Sequence, residues 1–232
     1  MIEVDVPQEP LTFSYWTDPL CVWAYVCQPK LENVMGTYGD NVTCQQRMIP
    51  VFTSMQRRFA KGGAWEGKDG TARREATVRI ATNMGFDNVT GEVWEKDMPT
   101  SSMPAAMAFC GVSLLEERGD VAQGASARYV DGLRRAFFER NQNTARRQVQ
   151  LALAEELDVA PDKLAATLDD GTALARLFED YEDKEKHKLR GSPSWVFDNG
   201  RSVLFGNVAA GVVHGVVEEL LYGKHPGCTW CG

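Results

Sequence analysis

Along the first fifty residues, apolar and polar positions alternate, then fall into a helical stripe, then alternate again. Leu11-Thr-Phe-Ser-Tyr-Trp16 reads as a strand. Asp18-Pro19 marks a turn, and the run from Cys21 to Met35 predicts a helix closed by Gly36 and Gly39. Pro29 inside that helix is expected to kink it, because it removes a backbone hydrogen bond. Val42-Thr-Cys-Gln-Gln-Arg-Met-Ile49 then predicts a second strand, completing a βαβ unit. Residues 51–75, rich in Gly, Arg and Trp, predict a long irregular surface loop.

From Ser101 to about Leu189 the apolar period is helical. Pro104 opens one helix that runs to Glu117, and others are expected over 121–140, 144–157, 161–169 and 172–187. Leu114, Leu115, Tyr129, Leu133, Phe137, Phe138, Val149, Leu153 and Leu157 are its candidate core. Strand character returns at Ser194–Phe197 and Ser202–Phe205 around the Asp198-Asn-Gly200 turn, with an apolar helix over 208–221. The order is βαβ, a helical block, then ββα. This is α/β, the layout of a thioredoxin fold carrying a large all-helical insertion between its halves. Residues 1–75 and 190–232 are expected to form the thioredoxin-like domain and 76–189 the helical insertion subdomain.

With 232 residues, 44% of them hydrophobic, the chain can bury a substantial core. A net charge of −7, with no basic stripe to offset it, argues against nucleic acid as a partner. Met1-Ile-Glu-Val-Asp-Val-Pro7 lacks the pattern of a secretory signal, and no apolar run approaches the ~20 residues of a membrane span. No membrane partner is expected, and the expected location is cytoplasmic. The six cysteines are accordingly read as thiols rather than staples.

Among them Cys21 stands out, because it begins a helix. There its sulfur would face unpaired N–H groups and the positive end of the helix dipole, which favour a thiolate. The alternative is a buried small hydrophobe, as read for Cys27, Cys44 and Cys110. Cys27 cannot partner Cys21 within one helix, since six residues rise about 9 Å and a disulfide needs Cα atoms about 4.4–6.8 Å apart. Cys228 and Cys231, a Cys-x-x-Cys pair beside His225, admit three readings: resolving thiols, a soft-metal site short of the usual four ligands, or an inert terminus. No metal is expected. His187 and His214 fit no catalytic spacing. The Arg57-Arg58 and Arg73-Arg74 pairs are either solvated surface or a carboxylate-binding element.

Asp18-Pro-Leu-Cys21-Val-Trp-Ala24 after a strand, a long helical middle, and Gly191-Ser-Pro-Ser-Trp195 entering a hairpin together resemble the DsbA-like branch of the thioredoxin superfamily. The resemblance covers nearly the whole chain. It is nearest to FrnE-like proteins, which are related to 2-hydroxychromene-2-carboxylate isomerases and kappa-class glutathione transferases. It implies a cis peptide bond before Pro193, placing Ser192 and Pro193 beside Cys21 as substrate-binding residues, with Trp23 lining the site and Trp195 either lining it or packing into the hairpin core. It also exposes a departure: Ala24 stands where the family has its second motif cysteine.

The resemblance implies a thiol-disulfide oxidoreductase acting through Cys21 alone. Its substrate would be a protein or low-molecular-weight thiol or disulfide. Glutathione would serve as co-substrate, with no tightly bound cofactor, and either it or Cys228/Cys231 would resolve the mixed disulfide. Two alternatives stay open: a glutathione-dependent isomerase or transferase, and a non-catalytic thioredoxin-like binding protein. The oligomeric state is not specified by any of these readings.

Overall fold

The computed structural model describes residues 10–223. Strand β1 (Leu11–Thr17) leads through the Asp18-Pro19 turn into α1 (Val22–Tyr38), which returns to β2 (Val42–Met48). Parallel pairing of β1 with β2 sets Leu11 opposite Val42 and Thr17 opposite Met48. Helix α1 passes through Gly36 and ends at Gly39, whose φ of 51° a side chain would strain. It is one continuous helix across Pro29.

Between β2 and β3 lie eight helices: α2 (Met55–Phe59), α3 (Gly70–Asn83), α4 (Val93–Lys96), α5 (Met103–Glu117), α6 (Ala125–Phe138), α7 (Arg147–Glu156), α8 (Pro161–Asp169) and α9 (Thr172–Lys186). The long loop expected over 51–75 is therefore corrected: Ser54 and Asp69 each accept a backbone N–H and cap α2 and α3. Helix α3 runs unbroken across residue 75. Strands β3 (Ser194–Phe197) and β4 (Ser202–Phe205) and helix α10 (Ala210–Tyr222) close the fold. The sheet order is β2-β1-β3-β4, with β3 antiparallel to both neighbours.

Phe13, Tyr15, Trp195 and Phe197 project from the central strands onto α1 and α10, forming one core with Leu31, Val213 and Val217. A second core fills the helical block, where Tyr129, Leu133 and Leu153 meet Phe109 and Leu115. A third joins the start of α1 to Phe52, Trp94, Phe137 and Phe138. Two buried polar ties lock the helices to the sheet. Arg134 of α6, fully buried, donates to Thr17 Oγ1 at 2.5 Å and Gln28 Oε1 at 2.6 Å. Asp180 of α9 accepts from Met48 N and Arg47, both at 2.8 Å. No described helix is long and apolar enough to cross a membrane.

Candidate active site

Cys21 is the residue that caps α1, with extended backbone (φ −84°, ψ 111°). Its carbonyl accepts from the N–H groups of Ala24 and Tyr25 at 3.0 Å, starting the helix. Its side chain is 5% exposed, and Sγ donates to the Ser192 carbonyl at 3.3 Å. Ser192 precedes Pro193 across a cis peptide bond, in the loop entering β3. The two loops are pinned a second time, because Asp18 N donates to Ser192 Oγ at 2.9 Å. The geometry thus brings Cys21 together with the adjacent pair Ser192 and Pro193, some 170 positions further along the chain. Ala24 is fully buried one turn along α1, with no sulfur to offer.

The residue that organises this junction escaped the sequence reading. Asp18 is fully buried. Its Oδ1 accepts from Leu20 N at 2.7 Å, and its Oδ2 from Val51 N at 2.6 Å, Phe52 N at 3.3 Å and the Ser102 hydroxyl at 2.6 Å. One carboxyl therefore ties the start of α1 to the segment after β2 and to the start of α5. The only trace of this in the sequence is the Asp-Pro pair, which signals a turn equally well without a hub.

Burial pushes the Cys21 thiol up, and the charge of Asp18 adds to the rise. The Ser192 hydroxyl and the N–H groups of Ala24 and Trp23 pull the other way without reversing it. The helix-start position does supply the expected N–H groups, but desolvation outweighs them, so the expected lowering of the pKa is corrected. The pH profile of Cys21 alkylation by iodoacetamide is therefore expected to have its midpoint above the ~8.5 of a free thiol. Asp18→Asn, which removes a negative neighbour, is expected to move that midpoint down. A wild-type midpoint below 8 would overturn the account.

The arginine pairs divide. Arg57 is exposed, and Arg74 is engaged by Glu95 at 2.9 Å and the Thr90 carbonyl at 3.0 Å. Arg58 and Arg73 instead turn inward onto aromatic rings. Their guanidinium carbons lie 4.9 and 4.6 Å from the Trp65 centroid, and Arg73 also stands 5.1 Å from that of Trp94. Arg58 stacks on Phe52 at 4.8 Å and donates to the Val51 carbonyl. Burial, with repulsion from Arg58, lowers Arg73 to about 10, against an opposing pull from Cys21. Burial lowers Arg58 too, against opposing pulls from Asp18 and Cys21, so both guanidinium groups lie in the electrostatic field of the Cys21 sulfur.

Trp23, two residues past Cys21, is 44% exposed. Trp195 does not line it. It is fully buried, 5.8 Å from Phe13 and 4.8 Å from Tyr15 between ring centroids, so of its two readings the substrate cleft is ruled out and core packing holds. Cys27 and Cys110 are buried and Cys44 is half-buried, all as free thiols. His214 is held between Tyr38 at 2.9 Å and Asn33 at 2.7 Å on α1. Cys228, Cys231 and His225 lie outside the described residues. Among the described residues no His, Cys, Asp and Glu side chains cluster as a metal site.

Residues 15–210, the stretch that carries the helix-start cysteine and the cis-proline loop, match a family model described as thioredoxin. The chain belongs to the thioredoxin family. Within it the fold is DsbA-like. A Nitrosomonas europaea protein provisionally assigned as a protein disulfide isomerase superposes with a TM-score of 0.75 at 16% identity, over 93% of this chain and 100% of that one. The cytosolic disulfide reductase DsbM from Pseudomonas aeruginosa does so at 0.64 and 20% identity, over 84% and 89%, and a DsbM structure with glutathione at 0.63. The ClpXP adapter protein SpxH of Bacillus subtilis is 23% identical over 222 residues, 93% of this chain and 68% of SpxH. At these identities the structural likenesses establish the fold.

Proposed function

We propose that this thioredoxin-family protein is a cytoplasmic thiol-disulfide oxidoreductase in which Cys21 is the sole nucleophile of the site. The carrying observation is the Cys21 sulfur at the start of α1, 3.3 Å from the Ser192 carbonyl beside Pro193. Deprotonated Cys21 attacks one sulfur of a substrate disulfide. A Cys21–substrate disulfide forms, the substrate S–S bond breaks, and the expelled thiolate takes up the proton that Cys21 gave up. A second thiol must then attack that mixed disulfide, freeing Cys21 and carrying off the oxidising equivalents, because Ala24 supplies no sulfur.

Glutathione suits this second step better than the tail does. Lys30 bonds Val208 beside the start of α10, and Tyr38 bonds His214 and Glu218 further along it, so α10 runs alongside α1 and ends at the end of α1 remote from Cys21. The 17 residues of α1 span about 25 Å at 1.5 Å each. From Gly223, the five steps to Cys228 reach about 17 Å fully extended and the eight to Cys231 about 27 Å.

The test is to incubate the reduced protein with glutathione disulfide and map adducts by mass spectrometry. A glutathione adduct at Cys21, absent in Cys21→Ser, is the expected result. An unmodified Cys21 would overturn it and turn attention to the second reading, a binding protein without catalysis. Ala24, the buried thiol and the similarity to an adapter protein favour that alternative. A glutathione-dependent isomerase or transferase would instead keep its activity in Cys21→Ser.

A further inference from the structure

We propose that Arg58 and Arg73 form the recognition site for a carboxylate carried by the substrate, so that the exchange at Cys21 selects small acidic thiols and disulfides over neutral or basic ones. This rests on the reading of Cys21 as the reacting thiol, but the site itself stands on independent geometry. Both guanidinium groups flank one ring, Trp65, within 5 Å of its centroid. Neither forms an ion pair among the described residues. Arg73 Nε is buried with no hydrogen-bond partner.

Two like charges brought together against aromatic rings, with no acid between them, are costly unless an anion arrives. Asp18 acts on Arg58 only through its field, since its two oxygens are already taken by four donors from elsewhere in the junction, and the groups acting on Arg73 are Cys21 and Arg58. Cys21 serves poorly at rest, because burial pushes its thiol up and disfavours the thiolate. A ligand anion would supply the directly paired charge that both guanidinium groups lack among the described residues.

The position of the pair specifies what carries it. Arg58 donates to the Val51 carbonyl, and the Val51 side chain lies within 4 Å of where a Cβ on Gly191, the residue before Ser192, would sit. Phe52, on which Arg58 stacks, shares a buried cluster with Cys21. The pair thus stands against the cluster that holds the reacting sulfur, close enough for both guanidinium groups to feel its charge. Guanidinium forks match the two oxygens of a carboxylate. The ring faces keep the forks in place, so little side-chain freedom is left to lose on binding. The substrate class is a thiol or disulfide with a carboxylate a few bonds from sulfur, for which glutathione is the natural probe.

The test separates binding from exchange. In Cys21→Ser, titration with S-methylglutathione is followed by tryptophan fluorescence, because Trp65 and Trp94 adjoin the pair. Saturable binding is expected, weakened at least tenfold by adding Arg73→Met or Arg58→Met, weakened less by Arg73→Lys, and lost with the diethyl ester of the ligand. In the wild-type Cys21 background, the rate of adduct formation with glutathione disulfide is expected to fall at least tenfold in Arg73→Met, while that with neutral 2-hydroxyethyl disulfide stays within twofold. Equal binding of acid and ester, or equal slowing with both disulfides, would overturn the proposal. Binding that follows the predicted pattern without any Cys21 adduct would keep the anion site and reject the exchange reading instead.

Discussion

Asp18→Ala is expected to destabilise the protein by about 4 kcal/mol, well beyond the ~1 kcal/mol typical of a point substitution. The carboxyl accepts four hydrogen bonds where there is no water to replace it. Alanine leaves three backbone N–H groups and the Ser102 hydroxyl without acceptors, and each buried unsatisfied group costs about 1–3 kcal/mol. The sum is held to its lower end because burial already works against the ionised acid. Desolvation raises its pKa above the ordinary carboxylate value in spite of the four donors. A folded-state pKa above the unfolded one means that this group stabilises most below the unfolded value, about 3.9, and that its contribution is lost as pH rises through the folded pKa. Asp18→Asn should therefore flatten the acid side of the stability profile as well as lower the whole curve. Urea unfolding with an unchanged slope gives the measurement. A loss under about 1 kcal/mol in Asp18→Ala would mean that the junction does not depend on this acid.

That residue also marks the boundary between what the chain reveals linearly and what it does not. The βαβ and ββα halves were legible because each is written in local terms: alternation at Leu11–Trp16, a turn at Asp18-Pro19, and Asp198-Asn-Gly200 between two short strands. The helices from α5 to α10 carry apolar periods or cap residues that survive in isolation. Helices α2 and α3 were hidden for the opposite reason. The first has only five residues, and the second buries little beyond Thr77 and Ala81, so neither presents an apolar stripe. The caps Ser54 and Asp69 were the available signal. Gly36 was read as a stop, but α1 runs through it because Tyr38 beyond it packs into the core and bonds α10.

At the site, Cys21, Ser192 and Pro193 were found through the order of their motifs. The pKa direction was missed because burial is a tertiary quantity: a helix start supplies the same N–H groups whether its thiol is solvated or 5% exposed. Trp195 stayed open between cleft and core because every residue of β3 is buried, so alternation along that strand does not distinguish its two faces. Pairing opposite Tyr15 decides the matter. The arginine cluster is built from residues 52, 58, 65, 73 and 94, which lie on separate elements and share no motif.

Trp94→Ala tests whether that cluster rests on the protein core. Trp94 is 1% exposed, edge-on to Phe137 at 5.1 Å, Trp65 at 6.1 Å and Phe52 at 6.2 Å. Truncating a buried tryptophan removes its transfer free energy and leaves a void that the neighbours fill only partly, a loss of about 3–5 kcal/mol. Collapse is hindered here because α3 already abuts α4 with no slack: a Cβ at Gly70 would sit 2.4 Å from the Trp94 carbonyl oxygen. The loss should therefore fall in the upper part of that range, read as a shift in the urea midpoint. Trp65→Ala, at a half-buried ring, should cost less. The two variants should also differ in their effect on anion recognition. Trp65 carries both guanidinium groups, whereas Trp94 adjoins Arg73. Trp65→Ala should then weaken S-methylglutathione binding more while destabilising the fold less. If affinity simply followed stability across the two variants, the rings would be acting only as core, and the ordering of Arg58 and Arg73 would have to come from elsewhere.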